Sequence, residues 1–130
     1  MGLDNGIVIK ANKEIKAPFW VKLDFYNNLN RNTAEVCYWR KCYGLRRKIL
    51  DSFPCHDEEA GGIFLCRDDV EDIAKIIQSF CDPNNWEKTG DSIWQWQEIK
   101  WTLLQQWINL HWLARYMKHN DVEVYFYDSY

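Results

Sequence analysis

Six of the chain's eight tryptophans fall between Trp86 and Trp112, and this concentration limits the possible folds more than any other feature. From Ser92 to about Lys118 the apolar residues recur at helical spacing. Trp94, Trp96, Trp101, Trp107 and Trp112 join Ile93, Ile99, Leu103, Leu104, Ile108, Leu110, Ala114 and Met117 in roughly 220° of arc. A helix apolar over so much of its circumference belongs at the centre of a fold. Ser92 with Gln95 three residues on reads as a capping box that opens it.

The rest of the chain supplies shorter elements. Gly6 to Lys13 alternates as a strand, and Val21 to Tyr26 reads as a second extended segment, with a polar loop over Asn27 to Asn32. Tyr38, Trp39, Cys42, Tyr43, Leu45, Ile49, Leu50 and Phe53 share one side of a predicted first helix, Tyr38 to Phe53, which Pro54 ends. An acidic loop follows, then a short strand, Ile63 to Cys66. Asp68 and Glu71 make a capping-box start for a second helix whose stripe is Val70, Ile73, Ile76, Ile77 and Phe80. Asp82-Pro83 stops it, and Val122 to Tyr127 alternates as a closing strand. These elements predict one α+β domain over residues 1–130. Three or four short strands in a mainly antiparallel sheet pack against three helices, the third long and Trp-rich.

Composition narrows the function classes. The chain has 130 residues, 47% hydrophobic and 27% charged, which excludes disorder and leaves room for a real core. Sixteen Lys and Arg against nineteen Asp and Glu give a net charge of −3, so no global basic field recruits nucleic acid or an anionic membrane. The start has no export signal, and no segment reaches the length of a membrane span, so the expected compartment is the cytoplasm. Five cysteines without a Cys-x-x-Cys pair predict reduced thiols and no metal. No phosphate loop, paired carboxylates or nucleophile with an evident base appears, so neither a cofactor nor an enzymatic activity is expected.

Three patterns remain. Arg40 and Arg47, like Lys41 and Lys48, lie seven apart, so on the predicted first helix they share a side with Gly44 between them. Such a face lets a phosphate backbone approach, and Trp39 and Tyr43 border it as stacking platforms. His111 falls in the apolar arc of the long helix and is expected as a satisfied core histidine. Gln95, Glu98, Thr102, Gln105, Gln106 and Asn109 form a strip on the same helix with one charge among six residues. Solvated faces normally carry Lys and Glu, so this strip predicts a contact surface, within the molecule or between copies. Cys55-His56 beside Asp57 reads as a solvated acidic loop rather than a catalytic dyad.

The start Met1-Gly2-Leu3-Asp4, the run Glu35-Val36-Cys37-Tyr38-Trp39-Arg40-Lys41 read as a helix opening, and the aromatic closing strand resemble a family of short bacteriophage and prophage proteins. The resemblance implies origin and compartment, and carries no catalytic residues. Joined, its two motifs predict the Asp4 carboxylate within reach of Arg40 or Lys41, with Trp39 packed beside them. The expectation is a small cytoplasmic accessory protein that binds an unknown protein partner or itself. The alternative is a nucleic-acid-binding module using Trp39, Arg40, Lys41, Arg47 and Lys48.

Overall fold

The computed structural model describes residues 4–26, 31–53 and 62–129. Among these residues the fold is α+β, with five strands and four helices rather than the expected three or four and three. They run β1 (Asp4–Ala11), β2 (Asp24–Phe25), β3 (Thr33–Arg40), α1 (Tyr43–Asp51), β4 (Ile63–Leu65), α2 (Arg67–Phe80), α3 (Pro83–Glu87), α4 (Ile93–Met117) and β5 (Val122–Ser129). The sheet order is β2-β3-β1-β5-β4, with every neighbouring pair antiparallel. β1 is central, pairing Asp4 with Arg40 and Gly6 with Tyr38 on one side, and Gly6 with Tyr127 and Val8 with Tyr125 on the other.

The largest departure from expectation is at residues 38–41. The predicted first helix over Tyr38 to Phe53 is a strand to Arg40, and the helix begins only at Tyr43. Between the pairs Ile7–Cys37 and Val8–Glu35 the register with β1 shifts, and Val36 is the extra residue of a β-bulge. Ala34, Val36, Cys37 and Trp39 are all buried while Glu35, Tyr38 and Arg40 face away. Two consecutive buried residues break the period-two signature of a strand and bring in apolar spacings that read as helical. Lys41 then turns the chain with a φ of 56°. No local side chain caps α1; its Gly44 N–H donates instead to Asp91 Oδ2 at 2.8 Å, 47 residues away in sequence.

The helices pack on one face of the sheet. Ile7, Ile9, Val124, Phe126 and Leu65 from that face form one core with Leu45 and Ile49 of α1, Val70, Ile73 and Ile77 of α2, Trp86 of α3, and Leu103, Leu110 and Leu113 of α4. α2 starts two residues earlier than the expected box places it, with the Asp69 carboxylate accepting from the Cys66 N–H in place of the Asp68–Glu71 box. Ser92 caps α4 through the Trp94 N–H, but Gln95 takes no part in a box, donating elsewhere.

Half the reading of α4 is reversed. Trp94 and Trp101, placed by periodicity in the buried arc, are 73% and 70% exposed, while Gln106 and Asn109 are buried. The reason lies at the sheet edge. β2 pairs only with Glu35 and Ala34, so β3 from Val36 onward lacks a strand on that side. α4 closes the gap with amides. Asn109 Nδ2 donates to Val36 O at 3.4 Å, Gln106 Nε2 to Tyr38 O at 3.0 Å, and Gln95 Nε2 to Arg40 O at 3.4 Å and Lys41 O at 3.1 Å. Gln106 Oε1 also accepts from the buried Trp39 Nε1 at 2.6 Å. Asn109 further pairs with both backbone groups of Lys22, accepting from its N–H at 3.3 Å and donating to its C=O at 2.7 Å. Gln95, Gln105, Gln106 and Asn109 of the strip thus make a contact within the molecule, while Glu98 and Thr102 are exposed.

Candidate functional site

Successive side chains of a strand point to opposite faces, so burying Asn5, Ile7, Ile9, Val124 and Phe126 under the helices sends their neighbours outward. That outer face carries Asp4, Gly6, Val8 and Lys10 on β1, Thr33, Glu35, Tyr38 and Arg40 on β3, and Glu123, Tyr125 and Tyr127 on β5, with Asp24 and Phe64 at the margins. Among the described residues no helix covers it, and Val8, Tyr38, Phe64, Tyr125 and Tyr127 all stand outside the core. Tyr38 is 44% and Phe64 60% exposed.

The aromatic side chains are held in place by carboxylates. Tyr127 and Tyr26 both donate their hydroxyls to Glu35 Oε2, at 2.8 and 3.2 Å. Tyr38 donates to Asp4 Oδ1 at 2.6 Å and Tyr125 to Glu123 Oε2 at 3.0 Å. Phe64 meets the Tyr125 ring edge-on at 5.6 Å. Gly6 makes this possible at the centre, since a Cβ there would lie 2.5 Å from both the Tyr127 ring and Cys37 O. The phenols are correspondingly reluctant to ionise. Burial, then the Glu35 charge, pushes Tyr26 up to about 12, and burial with the Glu35 hydrogen bond raises Tyr127. The bond to Asp4 raises Tyr38, and the bond to Glu123 raises Tyr125.

The residues singled out in sequence are divided by this geometry. Asp4 and Arg40 are direct partners across β1 and β3 on the outer face. The expected ion pair is nonetheless absent among the described residues: Tyr38 is the group bonded to the Asp4 carboxylate. Trp39 points to the other face, 3% exposed and bonded to Gln106, so it neither packs beside Asp4 nor stacks on a ligand. Arg47 and Lys48 are exposed on α1, whereas Arg40 ends a strand and Lys41 sits in the turn. The four cations therefore do not form one helical face. Gly44 is no gap for a phosphate either, because a Cβ there would come within 2.3 Å of Thr89.

His111 is exposed rather than buried, edge-on to Trp107 at 5.1 Å. Cys37 and Cys42 are buried free thiols. Burial, reinforced by the Asp91 charge, pushes Cys42 up to about 12, which leaves it a poor nucleophile. Cys55, His56 and the acidic loop lie outside the described residues. Among the described residues no helix is long and apolar enough to cross a membrane.

Sequence reasoning missed Tyr26, Glu35, Phe64, Tyr125 and Tyr127 as a surface. A signal was present in β5, where Val124 and Phe126 alternate with Tyr125 and Tyr127. Both faces are rich in large side chains, which a strand with one solvated face does not require. It also missed the polar tie beneath β5. Arg46 Nε and Nη2 clamp Asp128 at 2.9 and 2.7 Å, and Asn5 Nδ2 donates to the same carboxylate. No protein-family model, curated protein or solved structure matches the chain.

Proposed function

We propose that the protein is a binding module, not an enzyme, and that it engages protein through the outer face of its sheet. One observation carries this reading: a full sheet face left bare by every described helix bears five aromatic rings, Tyr26, Tyr38, Phe64, Tyr125 and Tyr127. Tyrosine and phenylalanine are enriched where proteins meet, because a rigid ring buries much area at little entropic cost. The hydroxyls already bonded to carboxylates hold the rings in fixed orientations, so less is lost on docking.

Aromatic sheet faces also stack nucleic-acid bases, which is the rival reading. Charge argues against it here. The outward strand positions hold four carboxylates, Asp4, Asp24, Glu35 and Glu123, against two cations, Lys10 and Arg40. Carboxylates interleaved with the rings repel a phosphate backbone. The phage-type origin and the cytoplasmic compartment are part of the proposal and rest on the resemblance carried by Met1–Asp4, Glu35–Lys41 and the aromatic closing strand, of which the Tyr38–Arg40 part ends a strand rather than opening a helix.

A peptide library panned against the immobilised protein tests the reading. Selected peptides are expected to lose binding to Tyr38→Ser and Phe64→Ser variants and to keep it with Trp94→Ser. Peptides indifferent to both sheet substitutions, or salt-sensitive binding of single-stranded oligonucleotides, would reject it.

A further inference from the structure

The outward residues of β1 read Asp4, Gly6, Val8, Lys10 from one end to the other: an anion, a glycine, an aliphatic side chain and a cation. On β3 the corresponding order is Arg40, Tyr38, Glu35, Thr33, and on β5 it is Ser129, Tyr127, Tyr125, Glu123. Two copies that stack these faces with closed symmetry must be related by a two-fold axis lying in the plane between them. Only two orientations of that axis keep the strands aligned as packed sheets require.

An axis parallel to the strands sets Asp4 against Asp4 and Lys10 against Lys10. Like charges opposed in this way are costly. An axis perpendicular to the strands, passing between Gly6 and Val8, reverses each strand over its own copy. Asp4 then faces Lys10 of the second copy, twice. Val8 presses on the Tyr127 ring that covers Gly6, Tyr125 lies over Tyr127, and Tyr38 comes over Glu35. Arg40 meets Thr33 and Glu123 meets Ser129, so no like charges oppose one another.

We infer that the occupant of this face is a second copy of the chain, docked sheet to sheet with β1 antiparallel to β1. This rests on the reading of the sheet face as a protein-binding surface and names its partner. At about 4.8 Å between strands and 3.3 Å per residue, the three eight-residue strands β3, β1 and β5 span roughly 14 by 26 Å, and the short β2 and β4 widen the face along part of that length only. That area is at the small end for specific interfaces, which fits a weak, concentration-dependent dimer.

Sedimentation equilibrium up to millimolar concentration, with two charge reversals, tests the register. Asp4→Lys opposes two lysines at each end and Lys10→Asp opposes two aspartates. Each variant alone is expected to dimerise about tenfold or more weakly than the unaltered chain. Mixed one to one, they restore both pairs and are expected to recover a heterodimer of near-original affinity. Asp4 accepts from Tyr38, so melting curves accompany both variants, and the exposed Lys10→Asp carries the test if Asp4→Lys fails to fold. A dimer unaffected by Lys10→Asp, or two folded variants that stay monomeric when mixed, would overturn the register. An unaltered chain that stays monomeric throughout would overturn self-pairing. Peptides selected on the sheet face would still stand in that case, so the broader reading fails only on its own test.

Discussion

Gln106 shows how one side chain can hold two elements together. Its Nε2–H serves the Tyr38 carbonyl in a partly buried setting and its Oε1 serves the Trp39 indole in a buried one. Truncating it leaves a donor and an acceptor without partners, and each such loss costs about 1–3 kcal/mol. Gln106→Ala is therefore expected to lower stability by roughly 2–4 kcal/mol in urea unfolding, whereas the exposed Gln97→Ala changes it little. The tyrosines give a second residue-scale test. An unfolded phenol ionises near 10, while the fold holds Tyr26 up to about 12 and raises Tyr127, Tyr38 and Tyr125. The fold thus favours the neutral phenol. That contribution is complete below pH 10 and is lost as pH climbs from 10 towards 12. Tyrosinate absorbance is expected to develop late in the folded protein, with unfolding accompanying it, and Glu35→Gln is expected to advance both. Titration of every tyrosine at the unfolded value would show that the carboxylate bonds are not formed.

At the scale of elements, the α1 N-terminus carries an opposed pair of expectations. A surface Gly44 inside a helix would gain about 1 kcal/mol on becoming alanine, from propensity alone. In the fold, the new methyl meets Thr89, whose Oγ1 is tied to Trp86 O at 2.7 Å. Gly44→Ala is therefore expected to cost about 1–3 kcal/mol through overpacking, read from the melting temperature. A gain would show that Thr89 does not close over Gly44. This junction also marks where the sequence stops being legible. α2, α4 and the end strands are recoverable because their caps and periodicities are local. β3 is not, because its bulge scrambles the alternation and Asp91, which caps the next helix, lies far along the chain. α4 was found but turned the wrong way for half its length. Polarity alone sends Gln106 and Asn109 outward, and only an unpaired strand edge, a property of the assembled sheet, brings them in and leaves Trp94 and Trp101 outside. The face of the sheet was hidden for the same reason, since its rows run across three strands that only pairing aligns.

For the whole molecule, the sheet face competes as the place of contact, among the described residues, with the α4 flank carrying Trp94, Trp101 and Leu104 and with the exposed, edge-on pair Phe19 and Trp20. On the flank the exposed rings are interrupted by exposed Gln97, Glu98 and Thr102, and Lys100 lies over the Trp96 and Trp101 rings at 5.5 and 5.6 Å. The sheet face combines fixed rings with a charge order that matches its own reverse. These surfaces are distinguished most directly by proton–nitrogen correlation spectra recorded as the protein is concentrated. Progressive shifts are expected at the amides of Gly6, Val8, Tyr38, Phe64 and Tyr125, with the indole signals of Trp94 and Trp101 unmoved. Movement of those indole signals while the sheet amides stay fixed would contradict contact through the sheet face.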